Sequence, residues 1–269
     1  MEDEFYTEVE IVCGSDFVDL IGDFVSTVTG EAVEMQDDRV FLRTTKDTTK
    51  LEDELKKLKK DIDFDYSKSR KKNEDWIKSY QDSITPIDAG EFYIYPSWYQ
   101  PKEDKINILI NPALAFGSGH HATTYSCLLM VERFVKSGDE VLDVGCGSGI
   151  LALASTKKGA TVELCDTDPI AIDSAKENFE LNGESFRDIW VGSVNKTSKK
   201  YDTVLANIIA DVLKAISKDL KAKVKDGGSL ILSGILDKKE SGVTLAFKDL
   251  ELVERIQKDE WITLVYKKG

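Results

Sequence analysis

Strand and helix patterns alternate through the second part of this chain, and this alternation constrains the fold more than any other feature. Short apolar runs typical of strands follow one another from about residue 105, with helical stretches between most of them. The predicted strands cover residues 106–110, 140–144, 161–165, 188–191, 203–207, 229–233, 250–257 and 261–266. The predicted helices cover residues 123–135, 150–158, 169–181 and 211–223. Such alternation predicts an α/β fold with a mainly parallel sheet and helices on both of its faces.

The first 66 residues follow a different pattern, in which two helices are set among four short strands. The predicted elements are a strand at 5–12, a helix at 17–28, a hairpin at 32–42, a helix at 51–62 and a strand at 64–66. This β-α-β-β-α-β order predicts a small α+β domain of the ferredoxin-like type. The polar residues after it, ending in a short helix at 75–81, are typical of a linker. We therefore expect a small domain at 1–66, a linker at 67–81 and a larger domain at 82–269.

Charge is distributed unevenly along the chain. Residues 1–65 contain 19 acidic and 8 basic side chains, a net charge of −11, whereas the whole chain carries −13. An acidic segment of this kind argues against direct binding of a nucleic-acid backbone. It suits a basic protein partner, which complementary charge would steer toward it. From charge alone, a solvated surface that aids solubility explains the pattern equally well.

Cysteine, histidine and hydropathy patterns exclude several classes of protein. The four cysteines are scattered and form no Cys-x-x-Cys pair, which is typical of reduced thiols in the cytoplasm. The two histidines, His120 and His121, are adjacent and have no cysteine cluster nearby, so we expect no metal site. No apolar run approaches 18 residues, and the first residues are acidic where a secretory signal is basic. We therefore expect a cytoplasmic protein that does not span a membrane.

A glycine-rich turn follows the apolar strand predicted at 140–144. Residues 143–149 read Asp-Val-Gly-Cys-Gly-Ser-Gly, and a helix is predicted directly afterwards. Glycines at Gly145 and Gly147 would let a ligand approach the backbone closely, beside the amides of a helix N-terminus. A dinucleotide fingerprint would need glycine or alanine where Ile150 stands. The carboxylate of Asp143 suits a ligand that carries positive charge, although a tight strand–helix turn without ligand is the alternative.

Two further polar side chains stand at predicted strand ends. Asp166 follows the second strand, where a carboxylate can accept hydrogen bonds from ribose hydroxyls. Asp168 and Pro169 come next and are typical of a helix cap and first helical residue. Asn207 ends a later strand at the same edge of the sheet, where open α/β folds bind ligands; its alternative role is to cap the next helix.

Other residues near these strand ends have two possible roles. Cys165, Thr167 and Ile170 could line an adenine or, equally, pack against the helix. Isoleucines follow Asn207, in place of the stacking platform that a planar base requires, which disfavours nucleobase substrates.

A glycine-punctuated loop at 111–121 leads into the helix predicted at 123–135. Small residues and the hydroxyl of Thr123 or Thr124 could bind a carboxylate there. His121 is more typical of a structural hydrogen-bonding residue, with proton handling as the alternative. Trp98 and Phe116 are candidate pocket walls or, equally, core aromatics.

Taken together, these motifs resemble one family, the bacterial methyltransferases of large-subunit ribosomal protein eleven (the PrmA family). The Asp-x-Gly-x-Gly-x-Gly order is that of class I methyltransferases. The segments that carry the resemblance are residues 95–98, 114–124, 143–149, 166–169, 206–210, 233–236 and 260–261. They cover about 75–269; the N-terminal part agrees in size and element order. The chain has Ser118 and Ala122 where the family commonly has threonine and proline.

The resemblance implies a Rossmann-like domain with a mainly parallel seven-stranded sheet, which would transfer methyl groups from S-adenosylmethionine. The acceptors would be lysine side-chain and N-terminal amines of a basic ribosomal protein bound by the small domain. Carried over by position, Thr124, Gly145, Asp166 and Asn207 would contact the cofactor, with Asn207 nearest the acceptor. The alternatives are a methyltransferase acting on another protein or a small molecule, and a non-catalytic cofactor-binding protein. A monomer is expected.

Overall fold

The computed structural model describes residues 5–60, 62–72, 85–111 and 122–269, and the chain divides into two compact units, residues 1–84 and 85–269. The first unit contains β1 (Phe5–Cys13), α1 (Val18–Thr29), β2 (Glu34–Gln36), β3 (Arg39–Thr44), α2 (Thr49–Leu58) and β4 (Phe64–Lys72). Its strands form one antiparallel sheet in the order β2-β3-β1-β4. This confirms the predicted ferredoxin-like arrangement.

One face of this small sheet is buried under its two helices. Alternate residues of β1 and β3 point to the helices because side chains in a strand alternate between faces. Val9, Ile11, Val40 and Leu42 are fully buried there. Helical spacing brings Ile21, Val25, Leu51 and Leu55 onto the same core.

The last strand of this unit is longer than the sequence indicates. A strand was expected only at 64–66, yet β4 continues to Lys72 and takes up the start of the segment predicted as linker. It pairs with β1 along its whole length, from Cys13 opposite Phe64 to Phe5 opposite Lys72. The added residues are polar, so no apolar run predicts this part of the strand. An edge strand can be polar because it pairs with only one neighbour and many of its side chains remain in water. The helix predicted at 75–81 lies outside the described residues.

The second unit is built on a seven-stranded sheet. Its elements are β5 (Ile87–Ala89), β6 (Phe92–Tyr95), β7 (Ile106–Leu109), α3 (Ala122–Phe134), β8 (Glu140–Val144), α4 (Ile150–Lys157), β9 (Thr161–Asp166), α5 (Pro169–Leu181), β10 (Asp188–Val191), β11 (Tyr201–Asn207), α6 (Ala210–Ala215), α7 (Ser217–Ala222), β12 (Val224–Leu236), α8 (Glu240–Ala246), β13 (Glu251–Lys258) and β14 (Trp261–Lys267). The order in the large sheet is β10-β9-β8-β11-β12-β14-β13. The first five strands of that order are parallel, and the last two pair antiparallel. The predicted sheet is thus confirmed.

Two hydrophobic clusters cover the opposite faces of this sheet. Val141 of β8 belongs to one cluster, with apolar residues of α3, α4 and α5. Leu142 and Val144 of the same strand belong to the other, with α6, α7 and α8. Alternation within β8 therefore places helices on both faces, as the sequence predicts. Within the described part of the chain, no helix is long and apolar enough to cross a membrane.

Two local predictions for this unit are confirmed only in part. The strand expected at 106–110 is β7, which lies in a separate sheet of β5, β6 and β7 rather than in the large one. The sequence pattern could not show that β6 would be its parallel partner. The helix expected at 211–223 is two short helices, because the chain leaves the helical conformation at Ile216, with φ −100° and ψ 13°.

Candidate active site

The glycine-rich turn leaves β8 at Val144 and leads into α4. Gly145, Gly147 and Gly149 have φ of 72°, 53° and 77°, in the left-handed region that side chains rarely adopt. A Cβ at Gly145 would also overlap Cγ2 of Ile208. Glycine is therefore required at Gly145 both by its backbone conformation and by its close neighbour. The turn exposes backbone at the carboxyl edge of the sheet, where open α/β folds bind ligands.

Asp166 stands at the end of β9 beside this turn. One carboxylate oxygen accepts a hydrogen bond from the Gly147 amide at 3.0 Å, and the other accepts from the Asp168 amide at 3.0 Å. These bonds fix the half-buried carboxylate at the mouth of the turn. Asp168 itself caps α5 by accepting from the Ile170 amide at 2.9 Å, with Pro169 at the helix start. The predicted capping role of Asp168 is thus confirmed.

Asp143 lies behind the turn and not in the open site. Its side chain is 1% exposed, and one oxygen accepts from the Ala152 amide at 3.2 Å. Burial raises the pKa of this carboxyl to about 7; the Ala152 amide opposes the rise and the nearby Asp166 charge adds to it. Asp143 is therefore partly protonated near neutral pH, and positive charge close to it would favour its ionised form.

Asn207 ends β11 at the same edge. Its Nδ2 donates to Oγ1 of Thr124 over 3.5 Å, a long hydrogen bond. The next helix, α6, has Ile209 at its N-cap position, so Asn207 is not the cap of that helix. Thr124 is fully buried in the first turn of α3, whereas its neighbour Thr123 faces the cavity described below.

A cavity of about 670 Å³ opens at this edge of the sheet. The described residues that line it are Thr123, Val144, Gly145, Gly147, Asp166, Thr167, Asp168, Ile170, Ala171, Gly192, Ser193, Asn207, Ile208, Ile209, Val212, Ile216, Gly234 and Trp261. Of the residues singled out in the sequence, the structure brings Gly145, Gly147, Asp166 and Asn207 together here. Asp143 and Thr124 lie behind the lining. Among the adenine candidates, Thr167 and Ile170 line the cavity, while Cys165 is fully buried in the core.

Several lining residues were missed from the sequence. Gly192 and Ser193 follow β10, and the rule that ligands bind at carboxyl strand ends would have pointed to them. Gly234 and Trp261 come from β12 and β14. They lie in two of the segments that carry the family resemblance, but no site role was predicted for either of them. Trp98 is half-buried and is not among the described lining residues. Phe116, Ser118, His120 and His121 lie outside the described residues.

The buried thiols near this site are not nucleophiles. Cys127, Cys146 and Cys165 are free and buried. Burial raises the pKa of Cys127 and of Cys165 to about 12, and it raises that of Cys146 as well. A thiol attacks as its thiolate, so these cysteines stay unreactive at neutral pH. In the described ranges, no group of three or more His, Cys, Asp or Glu side chains could hold a metal ion.

The fold and the site together define a class I S-adenosylmethionine-dependent methyltransferase. The glycine-rich turn, the carboxylate at the end of β9 and a cavity of this size suit a nucleoside that carries a positively charged methionine group. S-adenosylmethionine is accordingly the methyl donor.

Comparison with known proteins identifies the family. The family model for ribosomal protein L11 methyltransferase (PrmA) matches residues 8–269, and this chain belongs to that family. It is 47% identical to the ribosomal protein L11 methyltransferase of a Nitratiruptor species, over 98% of this chain and 97% of that protein. It is 45% identical to the protein of that name from Campylobacter lari, over 98% of each.

A solved structure agrees with this assignment. The structure of ribosomal protein L11 methylase from Lactobacillus delbrueckii subsp. bulgaricus matches with a TM-score of 0.65 and 31% identity. The match covers 69% of this chain and all of that one.

Proposed function

We propose that this chain transfers methyl groups from S-adenosylmethionine to lysine side-chain amines and the N-terminal amine of ribosomal protein L11. The observation that carries the proposal is the position of Asn207. Its amide lines the same cavity as Asp166 and is not used to cap a helix. The names of the relatives support L11 as the substrate.

The lining residues divide into donor-binding and acceptor-facing groups. In this proposal Asp166 accepts hydrogen bonds from the ribose hydroxyls, and Gly145 and Gly147 let the donor approach the backbone. Thr123, which lines the cavity, or Thr124 behind it binds the methionine carboxylate. Asp143 acts from behind the turn, where its negative charge complements the positive charge of the donor.

Asn207 is the residue that orients the acceptor. Because its Nδ2 points to Thr124, its Oδ1 is left to accept a hydrogen bond from the incoming amine. An amine held in this way presents its lone pair along one direction, and alignment of the reacting atoms lowers the barrier. The donor supplies a methyl group that is already activated on a sulfonium.

The acceptor amine must lose its proton before it can attack. A lysine with its usual pKa of about 10.4 is neutral in only about one molecule per thousand at pH 7.4. Ile208, Ile209, Val212 and Trp261 give the cavity an apolar wall, and burial against this wall lowers the pKa of an amine. Among the described lining residues there is no histidine or lysine that could act as a base. In this proposal no dedicated base is required, and water carries the proton away.

The test is methylation of purified L11, with the modified residues identified by mass spectrometry. The wild-type protein should methylate lysine and N-terminal amines. Asn207→Ala should lower kcat by about 100-fold, the scale expected for misplaced reacting atoms, with little change in melting temperature. The control is Asn182→Ala, which removes an asparagine that bonds Leu109 away from the cavity and should cost stability but not turnover. Methyl groups on other atoms, or none on L11, would refute the proposal.

The small unit is the proposed substrate-recognition domain, and α1 is its most suitable face. Asp19 and Asp23 are exposed one turn apart and form no ion pair with the described residues. Phe17 and Leu20 beside them are 41% and 53% exposed. By contrast, Glu8, Glu52 and Glu54 are already paired with lysines. Exposed acidic and apolar side chains together suit a basic protein surface.

Charge reversal tests this role. Asp19→Lys with Asp23→Lys should lower kcat/KM for L11 by about tenfold at low salt through slower association. The difference from wild type should shrink as salt screens the charges. Donor affinity should not change. The matched control reverses two exposed acids of the second unit, Glu180→Lys with Glu251→Lys, and should behave like wild type. Equal effects of both pairs would count against recognition through α1.

A further inference from the structure

Gly234 lies in the wall of the cavity, at an irregular point of β12. The pairing of β12 with β14 shifts between Leu232 and Ile235, so residues 233 and 234 stand opposite Thr263 alone. An extra residue of this kind bends a strand and redirects it locally. Gly234 has φ of 79°, which favours glycine.

This bulge brings Gly234 against the backbone of Ile208, the residue that follows Asn207. A Cβ at Gly234 would overlap the carbonyl oxygen of Ile208 and would lie 2.7 Å from its carbonyl carbon and 3.2 Å from its nitrogen. Backbone atoms cannot turn away as the end of a flexible side chain can. A Cβ at Gly145 would overlap Cγ2 of the same residue. Ile208 is therefore in close contact with two glycines, one that follows β8 and one within β12.

Buried hydroxyl groups fix the position of the bulge. Ser233 and Thr263 are 0% and 2% exposed, and their hydroxyl oxygens share a hydrogen bond of 2.7 Å between β12 and β14. In the main-chain pairing, Ser233 stands beside Asn207 itself. The bulge is thus tied to a neighbouring strand on each side.

We propose that Gly234 is a positioning residue for methyl transfer, which acts through the backbone of Ile208 to hold Asn207 in place. The proposal rests on the acceptor-orienting role of Asn207 given above. Asn207 is covalently joined to Ile208, so a displacement of the Ile208 carbonyl moves the amide. A displacement of about 1 Å at reacting groups can cost about 100-fold in rate.

The sharpest test compares Gly234→Ala with Gly227→Ala. Both glycines lie in β12, with φ of 79° and 76°, so an alanine suffers the same backbone strain at either position. A Cβ at Gly227 would have no atom within 4 Å. We expect Gly234→Ala to lose more melting temperature than Gly227→Ala, because only its Cβ meets backbone atoms, and kcat is therefore compared per folded molecule. Only Gly234→Ala should lower kcat, by about 10- to 100-fold, and its donor Kd should change much less than kcat.

A second pair of variants tests the position of the same bulge if Gly234→Ala does not fold. Thr263→Val removes the hydroxyl that holds Ser233, and Thr263→Ser keeps it. The valine variant should lower kcat per folded molecule, and the serine variant should restore it. Equal kcat in Gly234→Ala and Gly227→Ala, or in both Thr263 variants, would overturn the proposal.

Turnover in these tests is measured as S-adenosylhomocysteine formed with total ribosomal protein, because each molecule formed reports one methyl group transferred to whichever protein of the mixture accepts it. Mass spectrometry of the products then tests the substrate separately. If the methyl groups appear on a protein other than L11, the proposed substrate is wrong. The ratio of kcat between Gly234→Ala and Gly227→Ala still decides the role of Gly234.

Discussion

The two edges of the parallel sheet both carry carboxylates, but these have different partners. At the amino edge, Glu140 pairs with Arg187 and with Lys225, and Asp202 shares the same Lys225 at 2.9 Å. Arg187 and Lys225 together lower the pKa of Glu140 to about 2. The negative charges of Glu140 and Asp202 are thus paired with the positive charges of Arg187 and Lys225.

At the carboxyl edge, the carboxylates of Asp143 and Asp166 accept hydrogen bonds from backbone amides of the glycine-rich turn and its surroundings. Within the described ranges neither forms an ion pair with a lysine or arginine. Amide hydrogen bonds orient a carboxylate without cancelling its charge. The negative charge of these two carboxylates therefore remains available to a positively charged ligand. At the amino edge, by contrast, the ion pairs of Glu140 and Asp202 connect neighbouring parts of the sheet.

The largest expected effect is the pH dependence caused by Asp143. Its folded pKa of about 7 lies above the ordinary value of 3.8, so the folded state binds the proton more tightly than the unfolded state does. This contribution to stability is complete below pH 4 and is lost as the pH rises to 7, by at most about 1.4 kcal/mol per pH unit. Asp143→Asn should lack this decline. Urea unfolding without donor at pH 4 to 8 measures the free energy of unfolding of both proteins. If it changes with pH in the same way in both, the pKa of Asp143 is not raised.

Next in size is donor binding by Asp166. Asp166→Ala should weaken S-adenosylmethionine binding by roughly 1.5–3 kcal/mol, the scale of a hydrogen bond to a charged group. Asp202→Ala at the amino edge is the matched control and should bind the donor as wild type does. Titration calorimetry measures both affinities, after circular dichroism has shown that each variant is folded. If both variants lose donor affinity equally, the carboxyl edge has no special role in binding the donor.

The smallest effect is expected at Glu140. Its side chain is 34% exposed, so removing its ion pairs in Glu140→Gln should cost at most about 1 kcal/mol of unfolding free energy at pH 7. Because its folded pKa is depressed, this stabilisation is present above pH 4.5 and fades as the pH falls toward 2. Unfolding at pH 7 and pH 3.5 should show the loss shrinking, with donor affinity unchanged at pH 7. A loss of donor affinity would place a functional role at the amino edge.

Local sequence determined the parts of this protein that depend on short-range geometry. Glycines at Gly145 and Gly147 indicate a turn with positive φ, and Asp168 before Pro169 indicates a helix start. Alternating strands and helices fix a parallel sheet, and a parallel sheet brings strand ends together at one edge. For this reason Asp166 and Asn207 could be assigned to one site from their positions after strands alone.

Tertiary structure decided what depends on distant partners. Only the packing shows that Asp143 lies behind the turn, that Thr124 contacts Asn207, and that Gly234 meets Ile208. The length of β4 and the separate sheet of β7 depended on which strand each would pair with. Hydrogen bonds between strands join residues far apart in sequence, and nothing in the local pattern of either strand specifies the other.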